Sequence, residues 1–288
     1  MFGKKEDKKE KVAEPQYYMS ATNMPTLNYK VYYMKKTEKL AYAILAFVVG
    51  FAVGYLFYGG IGKDEFGEPT TITHILNIVI PSITGIVAAI VFIPVRTSQI
   101  ITKRRRILNV QFRDMLDSLN TSIGSGKNVP DSFASVYEDM KMQYEEGSYI
   151  VDEIAIILSG IHNNIDIEVM LTDFAERSGI DDIKSFANVF QISYRKGGNL
   201  KEIIHNTHSI LSDKMNIKEE IETVVTASKM EQNIMLFMPV IIVGMIKMMS
   251  PDFADNFVKG SGLASTTIAI GLFIAAYFIG KKILDIKI

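Results

Sequence analysis

Apolar residues gather into four long uncharged runs: Leu40 to Gly62 (23 residues), Thr70 to Val95 (26), Gln232 to Ile246 (15) and Gly260 to Gly280 (21). A bilayer crossing takes about 20 residues at about 1.5 Å each. The third run falls short but continues past Lys247 to Met248 and Met249. A lysine near a helix end can carry its ammonium to the interface. The pattern predicts spans over 40–61, 72–95, 232–250 and 262–281. For the third, a buried helix of a soluble core is the competing reading.

Between the second and third runs the pattern changes to a helical period. Phe112, Leu116, Leu119 and Ile123 fall on one helix face. Gly124-Ser125-Gly126-Lys127-Asn128 breaks that helix, and Pro130 suits the first turn of the next, which carries Phe133, Val136, Tyr137 and Met140. Glu153 to Ile161 reads as a third helix, and Ile167 to Arg177 as a fourth that stops near Gly179. Ile180 to Lys196 is a fifth, striped by Ile183, Phe186, Val189, Phe190 and Tyr194 and ended by Gly197-Gly198. Asn199 followed by Glu202 resembles a capping box and opens a sixth helix that runs toward the third span. No strand pattern of comparable length occurs. The expected fold is an all-α membrane protein with four transmembrane helices in two pairs flanking one cytoplasmic six-helix bundle.

Charge orients the spans. Residues 1–39 hold nine lysines: Lys4, Lys5, Lys8, Lys9, Lys11, Lys30, Lys35, Lys36 and Lys39. Arg96, Lys103, Arg104, Arg105 and Arg106 follow the second span, and Lys281, Lys282 and Lys287 follow the fourth. The two short loops carry only Lys63 and Lys259, beside Asp64, Glu65, Glu68, Asp252 and Asp255. Cytoplasmic loops are enriched in Lys and Arg, so both termini and the central region are expected in the cytoplasm of a cell-membrane protein. Residues 1–28, with their charged block, Pro15 and Pro25, read as a flexible tail rather than a cleavable signal. The expected division is a tail over 1–39, a first span pair over 40–95, the helical domain over 96–231, and a second span pair with a short C-terminus over 232–288.

Composition narrows the function. The 288 residues are 48% hydrophobic and 22% charged, with a net charge of −1 and no cysteine. Mean hydropathy is +0.16, high for a soluble domain. Lack of cysteine excludes a disulfide framework, a thiolate zinc site and a cysteine nucleophile. The near-zero charge argues against a nucleic-acid binder. Residues 96–231 hold 16 Lys and Arg against 21 Asp and Glu, a net of −5, with the positive charge at the membrane end. That basic cluster suits a topology and headgroup anchor, or a docking patch for an acidic partner.

No catalytic constellation stands out. Gly124-Ser125-Gly126-Lys127 superficially suggests a phosphate loop. Thr121 stands where the first glycine should be, Asn128 replaces the hydroxyl residue, and the segment follows a helix rather than a strand. His205 and His208 share a helix face and could grip a metal, but packing or solvated histidines fit better. Asp173, Glu176, Asp181 and Asp182 cluster around Gly179, where helix-end solvation competes with acid–base work. No Asp, Glu or Arg lies mid-span, as an ion path would require. Gly50 and Gly54 with Ala46, Gly85 with Ala89, and Gly271 with Ala275 form small-xxx-small stripes that let helices pack closely, within a chain or between chains.

The arrangement resembles the polytopic platform proteins of type II secretion and type IV pilus machines, the GspF/PilC/TadB family. Lys103-Arg104-Arg105-Arg106 leads to Gln111-Phe112-Arg113-Asp114-Met115-Leu116-Asp117, which looks like the family's basic exit followed by Phe/Gln and Asp-x-Leu. Ser122-Ile123-Gly124-Ser125-Gly126-Lys127-Asn128-Val129-Pro130-Asp131-Ser132-Phe133 is similar to its small-Gly turn. Phe190-Gln191-Ile192-Ser193-Tyr194-Arg195-Lys196-Gly197-Gly198-Asn199-Leu200 carries its Gly-Gly-Asn-Leu turn, and Met238-Pro239-Val240 fits its Leu-Pro stretch. The resemblance covers residues 96–285. Only one copy of the helical domain is present, which favours the tight-adherence (Tad/Flp) branch and the TadB type within it.

The resemblance implies a role without catalysis and without a cofactor. The cytoplasmic domain would touch a hexameric secretion ATPase, the spans would guide pilin subunits from the bilayer into the fibre, and the partner platform subunit would be a TadC-like paralogue or a second copy. Gly124, Gly126, Lys127, Arg195, Lys196, Gly197, Gly198 and Asn199 become candidate contact or hinge residues, with a plain helix cap as the other reading of the glycines. Gly50, Gly54, Gly85 and Gly271 become candidate packing sites in the membrane. A small-molecule transporter or receptor with a cytoplasmic regulatory domain is the alternative, and it predicts a buried polar pathway.

Overall fold

The computed structural model describes residues 14–64 and 68–284. Lys4 to Lys11, Glu65 and Lys287, which contribute to the expected orientation, lie outside them. Among the described residues the elements are β1 (Tyr17–Met19), β2 (Pro25–Leu27), α1 (Lys36–Tyr58), α2 (Thr71–Gly124), α3 (Val129–Gln143), α4 (Tyr149–His162), α5 (Ile167–Ser178), α6 (Asp181–Lys196), α7 (Leu200–Met249), α8 (Pro251–Val258) and α9 (Gly260–Leu284). The chain divides into two compact units. The first joins residues up to Tyr33 with Thr97–Asp213, and the second joins Met34–Arg96 with Lys214–Ile288.

The first unit is helical around an apolar core. Phe112, Leu116 and Leu119 of α2 are fully buried, as are Phe133 and Val136 of α3. Phe112 packs against Phe174 of α5 and Phe186 of α6, with ring centroids 6.2 and 5.6 Å apart. Each such side chain contributes about 1.5–3 kcal/mol by leaving water. Val189 and Tyr194, expected on the buried stripe of α6, are 44% and 40% exposed. Tyr194 instead stacks on Phe190 at 5.6 Å.

Local chemistry sets the helix ends. Asn128 caps α3 by accepting the Asp131 N–H at 2.8 Å, and Pro130 occupies the first turn. Asn199 accepts the Glu202 N–H at 3.3 Å while its own amide donates to Glu202 Oε2 at 3.2 Å, so the two side chains cap α7 together.

One expectation needs correction. Residues 14–33 are not a loose tail. β1 and β2 form an antiparallel hairpin, with Tyr17 opposite Leu27 and Met19 opposite Pro25, and Asn28 and Tyr29 behind it are buried in the first unit. Strands of three residues are too short to announce themselves by alternation. Of the stretch expected as the helical domain, residues 97–213 belong to the first unit and 214–231 to the second. Met215 is buried, whereas side chains over 216–220 and 226–231 are exposed.

The second unit holds apolar helices. Four helices, Lys36–Tyr58, Thr71–Gly124, Leu200–Met249 and Gly260–Ile283, are long and apolar enough to cross a membrane. Almost none of each apolar stretch is buried within the chain, as expected of side chains facing lipid. These are the helices of a multi-pass membrane protein. The apolar run after Thr70 does not end its helix at residue 95. α2 continues without interruption, Pro81 and Pro94 included, to Gly124, and α7 likewise runs unbroken through 50 residues. A short helix, α8, lies in the chain between the third and fourth apolar helices.

Small residues set the packing of α1 on α2. A Cβ added at Gly50 would stand 2.7 Å from Ala88 Cβ, one at Gly54 2.0 Å from Thr84 Oγ1, and one at Gly85 2.8 Å from Phe47. Thr84 Oγ1 donates to the Gly50 carbonyl at 3.0 Å across this contact. Leucine at Gly50 or Gly85 is therefore expected to cost about 1–3 kcal/mol by forcing the helices apart. A lower apparent melting temperature of the full chain in micelles checks it. Gly271 has no atom within 4 Å of such a Cβ and makes no close approach in this chain.

Candidate partner-contact site and a buried ion network

The two glycine turns that carry the family resemblance lie at one end of the first unit. The C-terminal part of α2 runs beside the N-terminal part of α7. Asn120 meets His205 at 3.5 Å, Asp117 faces His208 at 3.6 Å, and the Cβ position of Gly124 lies 3.9 Å from Lys201 Cε. The histidines thus face different α2 partners, and His208 also meets Ser212 at 3.3 Å.

At this end Gly124, Gly126, Lys127, Lys196, Gly197, Gly198 and Asn199 are all exposed. Lys127 Nζ donates to Ser135 Oγ at 2.6 Å, back along α3. Arg195, with its side chain 60% exposed, donates to Glu168 Oε1 at 3.0 Å. Lys127, Arg195, Lys196 and Lys201 are exposed at this end, beside the exposed carboxylates of Asp131 and Glu202.

Gly197 has φ +65° and ends α6, and the Gly198 N–H closes the cap on the Ser193 carbonyl at 2.8 Å. This is a Schellman-type helix stop, in which glycine avoids the cost of a left-handed residue. Gly197→Ala should therefore lower stability by about 1–2 kcal/mol, and Gly197→Asn by less. Equal melting temperatures for the two variants would contradict the cap. Gly126 has φ +89° and no atom near its Cβ position. Nothing beyond the turn holds it.

A buried polar cluster joins Glu153, Asp173 and Arg177 to the N-terminal segment, residues that no local sequence pattern connects. Arg177 of α5 is 3% exposed and Glu153 of α4 is 1% exposed. Arg177 Nη1 and Nη2 donate to the two oxygens of Glu153 at 2.7 and 2.6 Å, and Nε donates to Asp173 Oδ2 at 2.8 Å. Nη1 also donates to the Leu27 carbonyl at 3.2 Å, and the Tyr29 N–H donates to the Arg177 carbonyl at 3.0 Å. The Tyr29 hydroxyl completes the set, donating to Glu153 Oε1 at 2.9 Å. The guanidinium thereby ties α4, α5 and the N-terminal segment together.

Burial pushes the Glu153 carboxyl up, and the bonds from Arg177 and Tyr29 pull it only part of the way back. Burial works against the Arg177 charge, but the hydrogen bonds and negative charge of Glu153, with Asp173, outweigh it and hold Arg177 ionised. Burial, followed by the Glu153 charge, pushes the Tyr29 hydroxyl well above the ordinary tyrosine range. Because its folded value is raised, Tyr29 contributes stability below about pH 10 and loses it as pH rises through the folded value. Tyr29→Phe should cost about 1–3 kcal/mol at neutral pH. The gap from the wild type should narrow above about pH 10, in melts of the two proteins side by side.

The acidic cluster around Gly179 therefore does not act as one group. Asp173 serves Arg177, and Asp182 accepts from Asn109 Nδ2 at 3.4 Å. Asp181 and Asp182 occupy the first turn of α6, where the helix dipole favours negative charge. Among the described residues no group of three or more His, Cys, Asp or Glu side chains is placed to hold a metal. The Gln111 of the family-like segment accepts the Ile150 N–H at 3.2 Å, and Asp114 accepts from the Tyr144 hydroxyl. Both residues fasten neighbouring elements.

In the second unit, a cavity of about 630 Å³ lies among α1, α7 and α9, lined by Val53, Phe57, Pro239, Val243, Ile270 and Phe273 among others. Its walls are almost wholly apolar, suited to a hydrocarbon surface. Nearby, Gln232 Nε2 donates to the Tyr277 carbonyl at 3.2 Å, and Lys63 pairs with Asp255 at 2.6 Å.

Comparison of the chain with family models, with curated proteins and with solved structures finds no match in any of the three.

Proposed function

We propose that this chain is the platform protein of a Tad/Flp-type pilus assembly or type II secretion machine. In this reading it sits in the cytoplasmic membrane with both termini and the first unit in the cytoplasm. The exposed end bearing Gly124 to Asn128 and Arg195 to Asn199 meets a hexameric secretion ATPase, and the apolar helices guide pilin subunits into the fibre. The observation that carries the reading is the continuity of α2 and α7. Each has a membrane-length apolar stretch and a segment of the first unit within one unbroken helix. A helix without a break can pass a push or rotation along its axis instead of absorbing it in a loop.

The contact is tested by charge reversal. Lys127→Glu with Lys196→Glu alters exposed side chains and leaves the core intact. The pair should abolish surface pili while the protein stays at normal abundance in the membrane. Normal piliation would overturn the assigned contact end. The orientation has its own check, because the described chain has no native cysteine. Ser261→Cys should react with an impermeant maleimide added to intact cells, and Ser125→Cys should not. The equivalent probe at Gly67 falls outside the described residues.

A further inference from the structure

The β1–β2 hairpin is built inside out. In an antiparallel pair, directly opposed residues share a face. Tyr18 opposes Thr26, and this is the inward face. Thr26 and the flanking Ser20 are each 3% exposed, and Asn28 is fully buried. These polar groups are satisfied locally. Thr26 Oγ1 donates to the Tyr18 carbonyl at 3.2 Å, and Asn28 Nδ2 donates to the Pro15 carbonyl at 3.0 Å. The outward face has the opposite character. Tyr17 opposes Leu27 and Met19 opposes Pro25. Tyr17 is 59% exposed, Met19 68%, and Met24 at the hairpin tip 47%. A half-buried hairpin ordinarily turns its apolar residues inward and its polar ones to water. A contiguous apolar face turned outward marks a surface that something covers.

The covalent chain narrows what covers it. Only Met34 and Lys35 separate Tyr33 from the first residue of α1. Three residue steps span at most about 10 Å, so the segment is tethered at the water-facing end of a membrane-length helix. Tyr33 is itself tied to the start of the hairpin, its N–H donating to Gln16 Oε1 at 3.1 Å and its hydroxyl to the Glu14 carbonyl at 2.9 Å. Lys35, Lys36 and Lys39 beside it are exposed. Tyrosine rings, with an apolar body and a polar tip, suit the headgroup level, and lysines beside a span attract anionic headgroups.

We propose that the outward face of this hairpin lies on the bilayer surface. Tyr17, Met19 and Met24 enter the boundary between headgroups and acyl chains, and Lys35, Lys36 and Lys39 meet anionic phospholipid headgroups. The hairpin is then a membrane-surface foot, held to the first unit by the Tyr29 and Arg177 bonds. The inference rests on the membrane-spanning character of α1 and not on the secretion reading.

The test uses the full chain reconstituted in vesicles of phosphatidylcholine and phosphatidylglycerol, with or without bromine on the acyl chains. A bimane fluorophore is attached at Met19→Cys and, separately, at Met24→Cys, both exposed positions whose labelling leaves the core untouched. Val49→Cys, in the apolar helix, and Ser125→Cys, in the α2–α3 turn, bracket the scale. Brominated lipid should quench the label at Met19 or Met24 to a level approaching that of Val49, and Tyr17→Glu should reduce the quenching. Labels at both positions that stay as bright as Ser125, whether they face water or are covered by another protein chain, would overturn the proposal.

Discussion

Arg177→Met is expected to destabilise the chain by about 3–5 kcal/mol, because it strands the Glu153 carboxylate in a site with almost no access to water. Two further groups lose partners with it. Asp173, the Leu27 carbonyl and both oxygens of Glu153 all accept from that one guanidinium. Asp173, with its side chain 22% exposed, can turn to solvent, but Glu153 at 2% cannot. Glu153 is therefore where the cost concentrates. Glu153→Leu should be comparably severe, since it leaves a buried cation whose remaining carboxylate partner is Asp173. Arg177→Met with Glu153→Leu should recover much of either loss, because removing both charges abolishes the desolvation penalty along with the attraction. Thermal melts of the full chain in detergent micelles measure the cycle. A double variant as unstable as the sum of the singles would mean that the two residues act independently.

Phe112→Ala is expected to cost a further about 3–5 kcal/mol by an unrelated mechanism. The Phe112 ring is fully buried among α2, α5 and α6 and contacts the rings of Phe174 and Phe186. Its loss leaves a cavity that three helices, each fixed elsewhere in the core, can close only in part. Phe112→Leu keeps most of the volume and should cost under about 1.5 kcal/mol. The same micelle melts, with protease sensitivity of the α3–α4 connection as a second readout, distinguish the two. A Phe112→Ala protein that melts like the wild type would show that this cluster is not the core of the unit.

Much of the helical layout was legible because it rests on local rules. Phe112, Leu116 and Leu119 recur at helical spacing and are buried together. Asn128 with Pro130, and Asn199 with Glu202, announce helix starts by chemistry that operates within one turn. The apolar runs were equally plain, being a matter of composition over about 20 residues.

What escaped depended on distance along the chain. Tyr29 meets Glu153 across 124 residues, and Glu153 meets Arg177 across 24. No local rule selects those partners. A signal was nevertheless present. Glu153 lies three residues after Ile150 and four before Ile157, so it interrupts the buried face of α4. Asp173 and Arg177 stand at the i, i+4 spacing of a helical ion pair. A carboxylate on an apolar stripe asks for a cation, but the pattern over 167–177 alone marks Arg177 only as a helix end. The hairpin escaped for a different reason. Its strands of three residues are too short for alternation to mark them.

The platform reading is tested most directly by crosslinking the tagged protein in native membranes and identifying what is recovered by mass spectrometry. The account predicts a secretion ATPase, linked through lysines near the 124–128 and 196–201 turns, together with a second copy of the chain or a related multi-span subunit. Recovery of neither, from cells that are expressing pilus or secretion machinery, would contradict it.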